Sequence, residues 1–345
     1  MTATGAGHAA CHHGEILQGV FRDRRGARCL GLVTLPVPGV GSRAEFERRP
    51  GTPPEDLAVL PADRTRARRA AALAVAECAR RTGRPPCGGR LRLRGGVPVG
   101  RGMGSSTSDV IAAVRAVAAS FGTRLPPAAI AELAVRVERA SDPLMLDGGP
   151  LLFAQREGRV LEVLGAALPP VVVLGCATGG GRPVDTLSVP ADRYGERDVR
   201  AFERLRALLR RAVAAADPVL LGHVCTASAR RHQRLLPKEE LPLLTSLAAA
   251  AGAVGVQVAH SGSVAGLLFD ARSPDLDRQL RRCARDLANE GLTPGALFAT
   301  RPHPPAPALP TALTAPATVT ATPTSAREGD PTCSTTSRRR SPAPT

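Results

Sequence analysis

Lysine is almost absent from this chain. Lys238 is the only one, so all but one of the 46 basic residues are arginine. That scarcity excludes several chemistries. A Walker A loop needs a lysine directly after its last glycine, and the protein-kinase fold needs one on a strand facing the phosphates. A Schiff-base enzyme would have to rely on Lys238 in "LPKEELP". Tryptophan is missing and there is a single tyrosine, so the arginines have no interleaved aromatics on which nucleobases could stack. The formal charge of +16 is spread over segments such as "RTRARRAAA", "RLRALLRR" and "RQLRRCARD". These read as solvated helix faces, which makes nucleic acid an unexpected partner and leaves small anions open. No apolar run approaches the roughly 18–20 residues that cross a bilayer, so no membrane partner is expected. The opening "MTATGAGHAACHHGE" lacks a basic stretch followed by an apolar one, and the expected compartment is the cytoplasm. No two of the eight cysteines have CxxC spacing, which suits buried, reduced thiols. Cys11, His12 and His13 are adjacent, and three consecutive residues do not easily encircle one ion.

The distinctive stretch is "PVGRGMGSSTSDV", residues 98–110. Gly100, Gly102 and Gly104 precede four hydroxyl residues and an apolar run that reads as a helix ending at Gly122. Two readings are open. A helix N-terminus preceded by glycines offers unpaired N–H groups and a positive dipole end to an anion. Alternatively, Ser106-Thr107-Ser108-Asp109 fits the [ST]-x-x-[DE] capping box and only closes the helix end.

Around this loop, "RLRLR" alternates as a half-buried strand, residues 127–139 read as a helix, and "PPVVVLGCAT" (169–178) reads as a buried strand. Amphipathic helices follow over about 198–215 and 274–289, with strand, glycine-containing loop and strand between them over 254–270. Helices and strands mix without strict alternation, which favours an α+β class. A boundary is expected near 165–168, dividing the chain into 1–167 and 168–300. Residues 301–345 form a Pro/Thr/Ala segment expected to be a disordered tail.

Three segments carry a resemblance. Pro98, Gly102, Met103, Gly104, Ser105 and Ser106 resemble the second signature of the GHMP kinase superfamily. "HHGEILQGVF", with Gly14-Glu15, resembles the first motif, and "VAHSGSVAGLLFD" the third. The set is most similar to the L-threonine kinase branch, associated with cobalamin side-chain synthesis. The resemblance covers about 8–300. It implies a ribosomal-protein-S5-like N-terminal domain, a ferredoxin-like C-terminal domain, and ATP with Mg²⁺ as cofactors. Pro98, Gly100, Arg101, Gly102, Met103, Gly104, Ser105 and Ser106 would hold the nucleotide. Ser106 and Glu138 would hold the metal, and Asp142 would act on the acceptor hydroxyl, with Asp147 a substitute. Glu15, Gln18, His260, Ser261, Gly262 and Ser263 would surround the acceptor, with His12 and His13 lining the same pocket. Glu15 or Asp109 would meet an ammonium group. The implied reaction is phosphoryl transfer from ATP to a hydroxyl of L-threonine or a related hydroxy amino acid. Another alcohol, such as homoserine or a sugar-like compound, is the alternative, as is a non-catalytic nucleotide-binding regulator. A last strand is implied after "LANEGL", where "TPGALFATRPHPP" runs quickly into the tail.

Overall fold

The computed structural model describes residues 3–95, 102–179, 191–260 and 262–300. The expected tail lies outside them, as do Pro98, Gly100, Arg101 and Ser261. The chain starts with two long antiparallel strands, β1 (Thr4–Arg22) and β2 (Arg28–Arg49). Their turn is closed by Asp23, whose carboxylate accepts the N–H groups of Arg25 and Ala27, each at 2.9 Å. Register shifts fall at Ala10/Cys11, His12/Glu15 and Glu15/Leu17. Such bulges bend a strand and re-aim its side chains, and this one carries the histidines and Glu15.

Next come β3 (Leu57–Leu60), α1 (Thr65–Thr82) and β4 (Gly88–Gly95). β4 keeps the expected alternation: Leu91 and Leu93 are buried while Arg92 and Arg94 face solvent. α2 (Ser105–Ser120) and α3 (Pro127–Glu138) fall where the sequence places helices. α2 is buried almost all round rather than on one face. Its alanines are small enough to let it lie against β1, β2 and α1 together. The hairpin β5 (Leu151–Ala154) and β6 (Arg159–Val163) joins the sheet through β2.

The second half runs β7 (Val171–Ala177), α4 (Glu196–Ala214), α5 (Pro218–His232), α6 (Leu241–Ala251), β8 (Gly255–Val258), β9 (Val264–Asp270), α7 (Leu276–Asn289) and β10 (Pro294–Ala299). β10 is the strand implied after "LANEGL", antiparallel to β7 with Phe298 opposite Val173. The sheet order is β10-β7-β9-β8-β1-β2-β4-β3, so β8 meets β1, with Val258 opposite Glu15. One buried cluster draws on both halves of the chain, packing Ile16, Leu17 and Leu152 with Val171, Phe202 and Leu221. The class is mixed α and β, as expected.

Candidate active site

The glycine loop ends at Gly104, which is the N-cap of α2 in a left-handed conformation and makes no side-chain cap hydrogen bond. The capping-box reading therefore fails, because Ser106 lies inside the helix and the hydroxyls of Ser106, Thr107 and Ser108 have tertiary partners. Ser106 Oγ donates to Glu138 Oε1 at 2.6 Å, and Thr107 Oγ1 donates to Glu138 Oε2 at 2.9 Å. Ser108 Oγ donates to the Ala9 carbonyl at 2.8 Å, and Asp109 accepts from Ser42 Oγ at 2.5 Å. The first turn of α2 is thus tied to the last residue of α3 and to strands β1 and β2.

Loop shape depends on two glycines. Gly102 has φ +76°, and a Cβ there would lie 2.6 Å from Gly262 Cα. Gly104 has φ +67°, and its Cβ would lie 2.4 Å from His12 Cδ2. Both positions combine a conformation that disfavours side chains with a neighbour that fills the space. The glycine loop, His12 and the third motif consequently meet. A backbone bond from His12 N to the Met103 carbonyl, 3.2 Å, stitches the loop to β1.

Glu138 is buried, and that burial pushes its carboxyl up to about 7 despite the two hydroxyl donors. Arg66, near the start of α1, donates from Nη1 to Ser106 Oγ at 3.2 Å and stands 3.6 Å from Glu138. Asp142 follows the end of α3 and accepts from His12 Nε2 at 3.0 Å. Burial favours the neutral acid, but His12 outweighs it and holds Asp142 below the usual carboxylate range.

The third motif faces Glu15. Its Oε2 accepts the His260 backbone N–H at 3.0 Å and the His260 Nδ1–H at 2.9 Å. Ser263 is fully buried, and its Oγ and His260 Nε2 have no partner among the described residues. Gly262 accepts a hydrogen bond from Lys238 Nζ. The backbone N–H of Gln18 donates to Ser228 Oγ on α5 at 3.2 Å. Asp109, a candidate for an ammonium group, is already engaged by Ser42 and by Arg64 at 3.5 Å. The Cys11-His12-His13 run diverges as its spacing implied: His12 turns to Asp142 and His13 donates to Gln257 Oε1 at 3.0 Å. His12, Glu15 and Asp142 bring one ligand atom each within 4.8 Å of one another, but two of those atoms are already spent on each other.

Sequence reasoning assigns no site role to Arg66 or Lys238 and gives His12 no partner. Arg66 looked like one of many helix-face arginines, and Lys238 lay in an unremarkable polar turn. His12 was placed in the acceptor pocket without a partner. Each is brought in by an element far along the chain from the glycine loop, so no local motif marks it. Two hints were present: adjacent histidines next to a Gly-Glu pair in a largely buried strand, and a lone lysine in an arginine-rich composition.

Comparison with known proteins fits this geometry. The description "GHMP kinases N terminal domain" matches residues 67–149. The chain is similar to an L-threonine kinase of Salmonella typhimurium, 29% identical over 190 residues, which are 55% of this chain and 62% of that protein. It therefore spans less than two thirds of that relative's length. It is also similar to a homoserine kinase of Moorella thermoacetica, 30% identical over 204 residues, or 56% of this chain and 67% of that one. A crystal structure of homoserine kinase from Cytophaga hutchinsonii superposes with a TM-score of 0.63 at 15% identity, covering 87% of this chain and 95% of that one. Taken with a glycine loop that opens a buried helix and meets a glycine of the third motif, these likenesses establish that the chain belongs to the GHMP kinase family.

Proposed function

We propose that this chain is a small-molecule kinase using ATP and Mg²⁺, with a hydroxyl of L-threonine or a related hydroxy amino acid as acceptor. The observation that carries the reading is the Ser106–Glu138 pair at the start of α2. A serine hydroxyl and a carboxylate, gathered beside a helix N-terminus, are hard oxygen donors of the kind Mg²⁺ prefers. Among the described residues, buried Glu138 meets two hydroxyls, Arg66 and the like charge of Asp142, which leaves a carboxylate short of positive charge and fits a cation there. When bound, Mg²⁺ supplies charge neutralisation for the triphosphate.

The chain's own residues do the rest. Backbone N–H groups from Gly102 to Ser106 bind the phosphates at the positive end of α2. Pro98, Gly100 and Arg101, outside the described residues, extend this nucleotide site in our reading. Asp142, held as an acceptor by His12, takes the proton of the acceptor hydroxyl as its oxygen bonds to the γ-phosphorus and the bond to ADP breaks. Glu15, His260, Gly262 and Ser263 close the acceptor side, with Ser261 and Gln18 assigned there by resemblance. A cytoplasmic setting belongs to the same reading: the seven described cysteines are free and buried, and no described helix is long and apolar enough to cross a membrane.

Purified protein is incubated with ATP, Mg²⁺ and a panel of L-threonine, L-serine, L-homoserine and sugar alcohols, with products read by mass. Phosphorylated L-threonine as the main product is the expected result. Phosphorylated homoserine in its place moves the acceptor to the activity named for the Moorella relative. No ATP consumption with any acceptor, or full turnover by Ser106→Ala, overturns the reading.

A further inference from the structure

We propose that His12 is a positioning residue, a buried imidazolium that donates from both ring nitrogens and thereby fixes Asp142 as an ionised acceptor at the glycine loop. The proposal deepens the kinase reading and rests on it for the task assigned to Asp142.

Proton counting on the ring leads there. His12 Nδ1 faces the Gly14 carbonyl at 3.1 Å, and Nε2 faces Asp142 Oδ2 at 3.0 Å. A carbonyl only accepts, so Nδ1 must carry a hydrogen. The second contact also needs a proton between Nε2 and Oδ2, and the pair holds it whichever atom is nearer. A neutral ring beside an ionised Asp142 would set two acceptors against each other in a buried site. His12 is 1% exposed and the Asp142 side chain 20%, so water can reach the carboxylate but has little access to the ring.

The surroundings place the proton on the ring. Asp142 is joined by a second carboxylate, Glu15, within the same group. Burial alone pushes His12 toward its neutral form, but the Asp142 charge and hydrogen bond outweigh it, with smaller help from Glu15. The other titratable neighbours do not compete. On β1, burial pushes the Cys11 thiol up and His13 down, so both stay uncharged. From the third motif, His260 gives its Nδ1–H to Glu15. Lys238, which also feels Glu15, spends its Nζ on the Gly262 carbonyl. Gly102, Met103 and Gly104, the described part of the glycine loop, carry no titratable side chain.

The ring is also fixed in place. Gly104 leaves room for its edge, since a Cβ there would sit 2.5 Å from Nε2. The Met103 carbonyl holds the His12 backbone. A positive ring therefore lies directly against the last glycine of a loop that carries no lysine, and its counter-ion is the carboxylate set to receive the acceptor's proton. Raising the pH through the His12 titration removes the donor from Asp142 and predicts an alkaline fall in kcat.

The test begins with the unmodified protein, because a buried ion pair stripped of one partner can unfold. Ring-¹⁵N-labelled histidine is followed by NMR across pH without nucleotide. The expected result is a His12 ring protonated on both nitrogens at pH 7, titrating above 6.5, the ordinary histidine value. In Asp142→Asn the midpoint drops by about one pH unit or more. His12→Gln, which keeps hydrogen-bonding capacity without charge, is expected to lower kcat at least tenfold, leave KM for ATP within about twofold, and lose the alkaline limb. A wild-type ring with a single proton at pH 7 overturns the proposal. So does a His12→Gln enzyme with wild-type kcat and an unchanged pH profile. Failure of the wild type to phosphorylate any acceptor would sink the kinase reading instead, and the ring protonation would still be measured independently.

Discussion

Replacing Glu138 with glutamine should stabilise the metal-free protein while disabling it, and the stabilisation should grow with pH. The carboxyl titrates at about 7 in the folded protein against 4.5 when unperturbed. Between those values the folded state binds the extra proton, so stability from this group is lost as pH rises through the window. The loss is steepest near pH 6, at up to about 1.4 kcal/mol per pH unit. Glutamine keeps the shape and does not titrate. The stability difference, Glu138→Gln minus wild type, should therefore widen by about 2.5 kcal/mol between pH 5 and pH 8. Taking the change across pH removes any constant offset from refitting the amide to Ser106 and Thr107. Urea denaturation in EDTA, fitted by linear extrapolation at each pH, reads it directly. A difference that stays constant to within about 0.5 kcal/mol refutes the claim that Glu138 is a carboxylate awaiting a cation. On the proposed metal site, Mg²⁺ with a non-hydrolysable ATP analogue should raise the wild-type midpoint more than that of the variant, which would lack the Glu138 carboxylate.

Three further outcomes follow from the same contacts. Gly102→Ala forces a side chain into a φ of +76° and against Gly262; it should cost about 1–3 kcal/mol in urea denaturation and raise KM for ATP. Arg66→Ala removes an exposed cation next to Ser106 and Glu138; stability should change by under about 0.5 kcal/mol, while KM for ATP rises severalfold in steady-state assays. Lys238→Met keeps the stem's packing but drops the bond to the Gly262 carbonyl; calorimetry should show weaker nucleotide binding in a protein whose far-UV spectrum is unchanged.

How much was legible depends on whether the signal was local. β4 announced itself because "RLRLR" alternates and one face is buried. α3 and β7 did so because their composition and boundaries agree. β1 did not, because most of its central residues are buried on both faces, which erases the period-two pattern that marks a strand. α5 carries glycine, serine and two histidines among its apolar residues, so its helical stripe was blurred. In the site, the glycine loop and Glu138 were recoverable because the family motif and a helix end point to them. The His12–Asp142 contact joins residues 130 positions apart, and a pairing of that range leaves no trace in a single sequence. The capping-box alternative stayed open in the sequence because hydroxyls at a helix start have the same signature whether they cap it or bond across to another element. Here the left-handed Gly104 takes the cap position and frees Ser106 and Thr107 for Glu138.

The distribution of charge around the loop bears on why the lysine could be dispensed with. A lysine inside a phosphate loop moves with the loop and brings its own entropy. In this protein the positive groups sit on other segments: His12 in a sheet strand, Arg66 in the first turns of α1, and Lys238 between α5 and α6. Two of them are buried and pinned, His12 by Gly14 and Asp142 and Lys238 by Gly262, so on the kinase reading proposed above little reorganisation would be needed to bind a triphosphate. On that reading the loop needs only shape and N–H groups, which Gly102, Gly104 and a helix start would supply. On this argument a lysine placed in the loop, as in Ser105→Lys, should not improve turnover. Ser105 is buried, and a new ammonium there would have to be desolvated beside Glu138, where the proposed divalent ion is expected to supply the missing charge. An enzyme made faster by Ser105→Lys would show that the surrounding cations do not do the work assigned to them.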